Sequence, residues 1–570
     1  MTQVESYSSR RERRAADSAQ APEEPADYPT TTTRPTRRSG GGGGGGGGGL
    51  PGVRSIPGIL RGRHATPWGQ GFAYVVGWTI VSYLFPGAGL AAAGWRKFGR
   101  FLLLLQALAI AIGVGLALQG TALLDQVVAV GVSPNKLLAL LGVFVFGALL
   151  WGLFILMTSA GLRRSAVLTR SQKSFSSLLV VALLVGIALP VYWSGERVFA
   201  QRDLINTLFP SSGGGTKPNN QKADPWAGIP RMNVLLIGSD AGADRTGVRT
   251  DTLILASIDT KSGYTILYSL PRNLGHAQFK PGSPGARKYP NGFTCGASVT
   301  TDTCMINAVW TWASGPDGKQ YYTGKTPGLQ ATEDVVSGTL GLKIDNYALL
   351  SIQGLVDFVN AIGGVKVNVT QRLPRGGHPD ATPAMGAYYT EATQGYLEPG
   401  NRKLNGFDAM WYARSRRTTD DYDRMRRQRC LIGDLVEQSD PITLAQHFPD
   451  IAKAIKKNSA TNISQDSLEA WVDLAQRIQK GGKTYSLAFT NKVLSSGTWN
   501  PDYTEIHRLV KKAIAKSDKD YAKAQADKAA AAASPSAGTT PTPTKTKKPT
   551  GTGVNADDSS SAQDIKQLCG

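Results

Sequence analysis

The chain has 570 residues and carries 63 Lys+Arg against 42 Asp+Glu, a formal net charge of +21. That length implies several domain-sized pieces, and the basic excess points to anionic partners such as phosphate, nucleic acid or a membrane surface. Four Cys exclude a disulfide-dense scaffold, five His argue against a multi-histidine metal site, and a mean hydropathy of −0.18 excludes a transporter that is membrane-embedded from end to end.

Residues 1–70 combine Arg-rich and Pro/Thr-rich runs with ten consecutive glycines, Gly40 to Gly49. Such composition cannot build a core and predicts a disordered cytoplasmic arm. The first apolar run begins only near Phe72, so no secretory signal peptide is expected. Residues 71–194 are the expected membrane region. A run over 72–94 is broken by Pro86-Gly87-Ala88-Gly89, and spans follow over 101–118, 137–159 and 176–194. A crossing helix needs about 20 apolar residues for the ~30 Å hydrocarbon layer. Arg61 and Arg63 precede the broken run; Arg96, Lys97 and Arg100 follow it; Arg163, Arg164, Arg170 and Lys173 separate the last two spans. The loop 119–136 has only Asp125 and Lys136. The positive-inside rule puts the three basic segments in the cytoplasm. The 72–94 run is then re-entrant, and three crossings deliver everything after Trp193 to the outer face. Four crossings, the alternative, would place the basic loops on opposite sides.

Residues 195–228 read as an exit and a polar linker. Residues 229–515 read as one α/β domain, a mixed sheet flanked by helices. Asn233–Ile237, Thr252–Ser257, Tyr264–Leu270 and Val365–Val369 are β-rich. Thr332–Leu340, Ser351–Ile362, Asp423–Glu437, Ser467–Ile478 and Tyr503–Ala515 carry helical spacing. Residues 516–570 are Ala/Lys-, Pro/Thr/Lys- and Ser/Asp-rich and predict a low-complexity, unstructured tail. All four Cys follow the last span, as suits an exported domain. Cys295 with Cys304 is the preferred disulfide, leaving Cys430 and Cys569, although spacing alone does not choose among the three connectivities.

His-Glu-x-x-His, Cys-x-x-Cys and Gly-x-Ser-x-Gly are all absent. Gly318 to Thr326 mimics a phosphate loop, but it has five residues between its glycines where the motif has four and lacks a preceding strand, so it reads as a surface turn. What stands out is seven Arg between positions 414 and 429, set against Asp420, Asp421 and Asp423. Arg414 and Arg416 share a face if that stretch is extended. Arg424 and Gln428 are i and i+4 on a helix, with Arg427 at i+3. Guanidinium forks suit phosphate oxygens. The embedded acids and the single Tyr422 disfavour nucleic acid, which wants interleaved aromatics. Upstream, Asp240 ends one strand, Arg249-Thr-Asp251 opens the next, and Arg272 follows Leu270-Pro271. Charged strand ends are where α/β sites form, and two carboxylates beside bound phosphate suit Mg²⁺. The plain alternative is a turn cap at Asp240, an Asp251–Arg249 ion pair and a solvated basic helix.

These motifs together resemble the LytR-CpsA-Psr family of cell-wall glycopolymer ligases. The resemblance runs from Asn233-Val-Leu-Leu-Ile-Gly-Ser-Asp240 through Arg249-Thr-Asp251-Thr, Leu270-Pro-Arg272, Ile306-Asn307-Ala308 and Gly363-Gly-Val365. It continues through Leu404-Asn-Gly, Tyr412-Ala-Arg414-x-Arg416 and Asp421-x-x-Arg424-x-x-Arg427-Gln428. It implies a membrane-anchored phosphotransferase with its catalytic domain outside the cell. Such an enzyme moves a glycopolymer from a polyprenyl-pyrophosphate carrier to a peptidoglycan hydroxyl and leaves a phosphodiester, with pyrophosphatase activity as a side reaction. Asp240 and Asp251 fall on the family's Mg²⁺ carboxylates. Arg249, Arg272, Arg414, Arg416, Arg424 and Gln428 fall on pyrophosphate positions, and Arg427 is grouped with them. Asp251 and Asp421 are the candidate bases, with Arg414 and Arg416 beside the reacting phosphate. The implied partners are the carrier-linked glycopolymer, peptidoglycan and membrane lipid, with no nucleic acid. Teichoic acid, arabinogalactan and capsular polysaccharide all stay open as the polymer. Two departures stand out. Asn273 occupies a position that is often Asp, and Met305 one that is often Lys, for which Lys288 is a candidate substitute. Apolar residues of Leu340–Ile362 and Leu431–Val436 are candidates to line a prenyl groove. A carrier-binding protein without turnover, or an envelope-linked regulator, is the alternative.

Overall fold

A computed structural model describes residues 71–118, 130–220, 222–239, 250–294, 304–376, 394–416, 418–439, 448–456, 458–533 and 559–570. The 1–70 arm, Asp240, Arg249, Cys295 and Arg417 lie outside the described residues.

The expected membrane region holds α1 (Phe72–Leu84), α2 (Pro86–Ala92), α3 (Arg96–Ala117), α4 (Pro134–Ser165) and α5 (Arg170–Leu208). The last three are long and apolar enough to cross a membrane. They run past the apolar stretches because helix propagation costs little once a turn exists. A capping box at Thr169 starts α5. Many apolar side chains of α3 face outward, as Leu104 does at 72% exposure, although Phe98 packs edge-on against Phe154 of α4. At 13 residues, α1 spans about 20 Å, too short to cross. Pro86 breaks the α1–α2 hairpin, and side chains answer the carbonyls near the break. Gln106 Nε2 donates to the Leu84 carbonyl at 2.9 Å, and Trp151 Nε1 to that of Tyr83 at 3.0 Å.

Beyond the membrane region, a seven-stranded mixed sheet is ordered β11-β10-β3-β2-β1-β4-β9. The strands are β1 (Arg231–Ser239), β2 (Thr250–Asp259), β3 (Thr265–Leu270), β4 (Asn346–Ser351), β9 (Ser459–Thr461), β10 (Thr484–Ala488) and β11 (Gln563–Asp564). Two side ribbons pair β5 (Val365–Val369) with β8 (Gly400–Leu404), and β6 (Leu373–Pro374) with β7 (Tyr396–Leu397). β1 is antiparallel to β2 and parallel to β4, while β3 is parallel to β10. The ends of β1, β3, β4 and β10 and the start of β2 therefore gather at one edge. β3 is buried throughout. One face packs α6 (Pro327–Leu340) and α12 (Tyr503–Ala533) through Tyr268, Val335, Val336, Ile506 and Val510. The other face carries α7 (Ile352–Ala361), α8 (Gly406–Arg414), α9 (Asp421–Gln438), α10 (Phe448–Ile455) and α11 (Leu468–Gly481).

The unstructured tail expected over 516–570 is corrected at both ends. Ala and Lys are strong helix formers, and α12 continues to Ala533. Residues 563–564 then add the edge strand β11, and α13 (Ile565–Cys569) docks Ile565 and Leu568 in buried positions. A Cys430–Cys569 disulfide, Cα to Cα 5.6 Å, ties this segment to α9. Cys304 is buried and disulfide-bonded; the expected partner Cys295 falls outside the described residues.

Candidate functional site

Local sequence brings charges to the gathered strand ends. The β1–β2 register shifts between Gly238 and Ser239. A Cβ on Gly238 would lie 2.8 Å from that of Thr252, so only glycine allows this approach. After the shift Ser239 pairs with Thr250, beside Asp251 near the start of β2. Pro271 stops β3, and a turn from the Leu274 N–H to the Pro271 carbonyl, 3.1 Å, presents Arg272. Ile306-Asn307-Ala308 forms a 3₁₀ turn that backs this segment. The Asn307 N–H donates to the Arg272 carbonyl at 3.4 Å, and the Ile306 N–H to that of Leu274 at 3.0 Å. That sequence motif therefore acts as a brace.

Helix α8 delivers Arg414. The expectation of an extended stretch here is corrected: Asn405 caps a helix through the Asp408 N–H at 2.8 Å, and Arg414 is its last residue. The Ser415 cap is extended (ψ 132°) and swings Arg416 toward α9. Asp420 caps α9 by accepting from the Asp423 N–H at 2.7 Å, which sets Asp421, Arg424 and Gln428 on the face nearest the sheet.

The pairs then close into a network. Arg272 Nη1 donates to Asp251 Oδ1 at 3.2 Å. Arg424 Nη2 lies 3.0 Å from Asp421 Oδ1 and 3.3 Å from the Asp251 backbone carbonyl. Arg416 Nη1 reaches Asp421 Oδ1 at 3.4 Å. Gln428 Nε2 donates to the Ala413 carbonyl at 3.2 Å, binding α9 to α8. Arg414 sits over the Trp411 ring at 5.8 Å. Arg424 is only 3% exposed. Burial depresses its pKa, and the neighbouring Arg416 and Arg272 add to this, while Asp421 and Asp251 oppose it. A guanidinium disfavoured by desolvation and by two like charges gains when an anion arrives.

Asp251, Arg414, Arg424 and Gln428 rim a cavity of about 300 Å³ between the sheet and helices α7, α8 and α9. Its depth is apolar, with Leu350, Leu355, Met410, Leu431, Ile432 and Leu435 among the lining. Leu350, Ile352 and Leu355 come from one nominated groove segment, and Leu431, Ile432 and Leu435 from the other. The β1 contribution, Leu236 to Ser239, lies outside both nominated segments. A charged rim over an apolar depth fits an amphiphile with a phosphate-like head. A crevice of about 490 Å³ by Lys483, Lys516 and Asp520 is lined mostly by polar residues and lacks this arginine set.

Two assignments are corrected. Arg427 is 1% exposed and faces away from the cavity. Its Nε pairs with Asp423 Oδ2 at 3.1 Å, and its other nitrogens donate to the Tyr412 and Ser415 carbonyls and to Thr419 Oγ1. It is a brace between α8 and α9, consumed by internal partners. Lys288 does not replace the missing cation at Met305. Its Nζ lies over the Tyr289 and Tyr321 rings, at 6.0 and 5.7 Å, and it does not line the cavity. Met305 instead pairs with Gly275 in an isolated β-bridge.

Among the described residues, no group of three or more His, Cys, Asp or Glu could hold a metal ion. Mg²⁺ does not require one, because one or two carboxylates plus phosphate oxygens and waters suffice. Asp251, a hard oxygen donor on the rim and 28% exposed, fits that chemistry.

The LytR_cpsA_psr family model matches residues 215–515. Biofilm regulatory protein A of Streptococcus mutans is 25% identical over 336 residues, 58% of this chain and 72% of its own. The polyisoprenyl-teichoic acid–peptidoglycan teichoic acid transferase TagU of Enterococcus faecalis is 24% identical over 301 residues, 52% of this chain and 79% of its own. The crystal structure of Bacillus subtilis TagV covers 49% of this chain and 94% of that one, at 23% identity and a TM-score of 0.33.

Proposed function

Given that the chain belongs to the LytR_cpsA_psr family, we propose that it is a membrane-anchored phosphotransferase of cell-wall assembly. It moves a glycopolymer from a polyprenyl-pyrophosphate carrier to a peptidoglycan hydroxyl, outside the cell. The name of the E. faecalis relative, a teichoic acid transferase, supports the reaction class. The observation that carries the reading is a juxtaposition at one rim: Asp251, Arg414 and Arg424 line an apolar cavity, with Arg272 ion-paired to Asp251 and both Arg416 and Arg424 to Asp421. A polyprenyl diphosphate has both halves of that chemistry in one molecule. Three helices long enough to cross a bilayer support the anchoring.

In the proposed step the acceptor hydroxyl oxygen bonds to the glycan-bearing phosphorus. The bridging P–O bond breaks, polyprenyl monophosphate leaves, and the hydroxyl proton passes to a carboxylate. With water as acceptor the same step is pyrophosphatase activity. Such transfer depends on positioning and on neutralising charge at the phosphoryl oxygens. Arg414, Arg416 and Arg424 hold those oxygens, Gln428 fixes the spacing of α8 and α9, and Arg272 orients Asp251. Asp251 and Asp421 are the two described carboxylates able to take the proton, a contribution of about 10²–10⁴-fold. Asp251, with Asp240, would hold Mg²⁺, which when bound supplies Lewis-acid polarisation of the diphosphate.

The test uses the full-length protein in lipid nanodiscs with a carrier-linked glycan and peptidoglycan fragments. Arg414→Ala and Arg416→Ala each abolish transfer while the thermal midpoint stays put. Transfer retained in both variants refutes the assignment. Binding of the carrier without release of polyprenyl monophosphate in the wild type would instead mark a non-catalytic receptor. Thiol labelling of intact cells at a cysteine introduced after residue 229 checks the outward placement.

A further inference from the structure

The reading above seats the prenyl tail in the cavity and the diphosphate at the arginine rim; the next inference rests on it. A glycan linked to that diphosphate must leave on the side away from the cavity. The loop after β10 occupies that side, since β10 lies beside β3 and both end near Arg272.

This loop is tied down at its tip. Asn491 Oδ1 accepts from both the Thr498 N–H and its hydroxyl at 2.8 Å. Ser495 donates its N–H and Oγ to Glu505 Oε2 at 3.0 and 2.7 Å. The Gly275 N–H, three residues beyond Arg272, donates to the Thr498 carbonyl at 3.0 Å. Tyr503 Oη donates to the Gly275 carbonyl at 2.9 Å. A side chain at Gly275 would collide with the Trp499 carbonyl. Across the site, the hydroxyls of Tyr422, the neighbour of Asp421, and Thr498 share a 3.4 Å hydrogen bond.

Trp499 is 37% exposed at this fixed tip, with exposed Asn500 next to it. A lone exposed aromatic is ordinary on a protein surface. Here the preceding residue, Thr498, is held by two segments that bear the charged network, its carbonyl by Gly275 after β3 and its hydroxyl by Tyr422 of α9, and Trp499 is the one aromatic that residues 489–502 leave exposed, among Asn, Ser, Lys and Asp. We propose that Trp499 is the stacking platform of a sugar subsite, taking the apolar face of a hexopyranose ring while the Asn500 amide meets its hydroxyls. Large rigid aromatics bury contact area at small entropic cost. The ring belongs either to the carrier-linked donor or to the peptidoglycan acceptor, and kinetics separate the two.

The test compares wild type, Trp499→Ala and Trp499→Phe as full-length proteins in nanodiscs. Three readouts are followed: hydrolysis of sugar-free polyprenyl pyrophosphate, KM for the glycosylated carrier, and KM for a soluble peptidoglycan glycan. Trp499→Ala raises one of the two sugar KM values by up to about tenfold, the scale of one aromatic contact. It leaves kcat and sugar-free hydrolysis unchanged, and Trp499→Phe restores most of the loss. A donor-only or acceptor-only shift identifies the ring. Both KM values unchanged, with sugar-free hydrolysis intact, overturns the subsite and leaves the phosphotransferase reading standing. Loss of sugar-free hydrolysis in Trp499→Ala also overturns the subsite, because the loop then merely supports Arg272. If the wild type neither binds nor hydrolyses polyprenyl pyrophosphate, the parent reading fails and the subsite falls with it.

Discussion

Arg424 and Arg427 sit three residues apart on α9, and both are buried, yet they do different work. Arg427 is saturated by Asp423, two carbonyls and Thr419. Together with Arg426, held by Asp423 and Thr370, it locks α9 to its neighbours. Arg424 looks into the cavity rim, and its Nε finds no partner among the described residues. One side of the helix thus holds closed ion pairs, and the other holds charge with capacity left for a ligand. Residue type and helical spacing are shared; the difference lies in what the neighbouring elements offer.

The comparison can be broken at its stiff side first. Asp423→Ala strands Arg426 and Arg427, 4% and 1% exposed, without their carboxylate. A loss of about 3–5 kcal/mol is expected, visible as a lower urea midpoint. On the other side Arg414→Ala should cut kcat by about 10²–10³-fold at an unchanged midpoint. If the two variants exchange effects, the division of labour is wrong. Cys569→Ser releases the C-terminal strap from the far half of α9. Closing a 139-residue separation suggests about 2–4 kcal/mol of stability, and a shift at least as large should appear when the wild type is titrated with dithiothreitol, which also opens the disulfide at Cys304. Leu355→Trp, which fills the cavity depth, should weaken binding of long-chain diphosphates more than that of inorganic pyrophosphate, measured by calorimetry.

The smallest effects are in pH. Burial opposes ionisation of Asp423, but Arg427 and Arg426 outweigh it and hold the pKa below the usual carboxylate range. Its contribution is therefore present above about pH 4 and is lost as pH falls through the lower folded value. Asp434, further along α9, is pushed up to about 7 by burial and by Glu437. Its folded pKa exceeds its unfolded one, so stability declines as pH rises from about 4 to about 7. Asp434→Asn should flatten that decline in thermal melts, while Asp423→Asn should lower the neutral-pH midpoint and with it remove the acid limb.

Much of this molecule is legible in its residues. β5 runs from Val365 to Val369 as alternation predicts, and α9 covers the expected helical run. β4 and β10 are not among the expected strands, although at 6 and 5 residues they match β3 and β5 in length. β4 is held by distant partners: Asp345 Oδ2 accepts from the Asn233 N–H at 3.0 Å, and Asn233 Nδ2 donates to the Lys343 carbonyl at 2.8 Å. The arginine concentration marked the site, but spacing put Arg427 with the ligand-facing set. Nothing local distinguishes i+4 toward a cavity, as at Gln428, from i+3 toward a neighbouring helix, as at Arg427.

Hydropathy, charge placement and motif order by themselves determined three membrane-length helices, an α/β domain behind them and the family to which it belongs, because those properties follow from local composition and spacing. Which guanidiniums are closed into internal pairs, how deep the apolar cavity runs, and that residues 559–570 return to pin α9 were decided only by tertiary structure. Each depends on separate elements meeting at one sheet edge or helix face, in the case of the strap across 139 residues of chain, and desolvation there sets which charges keep a free side.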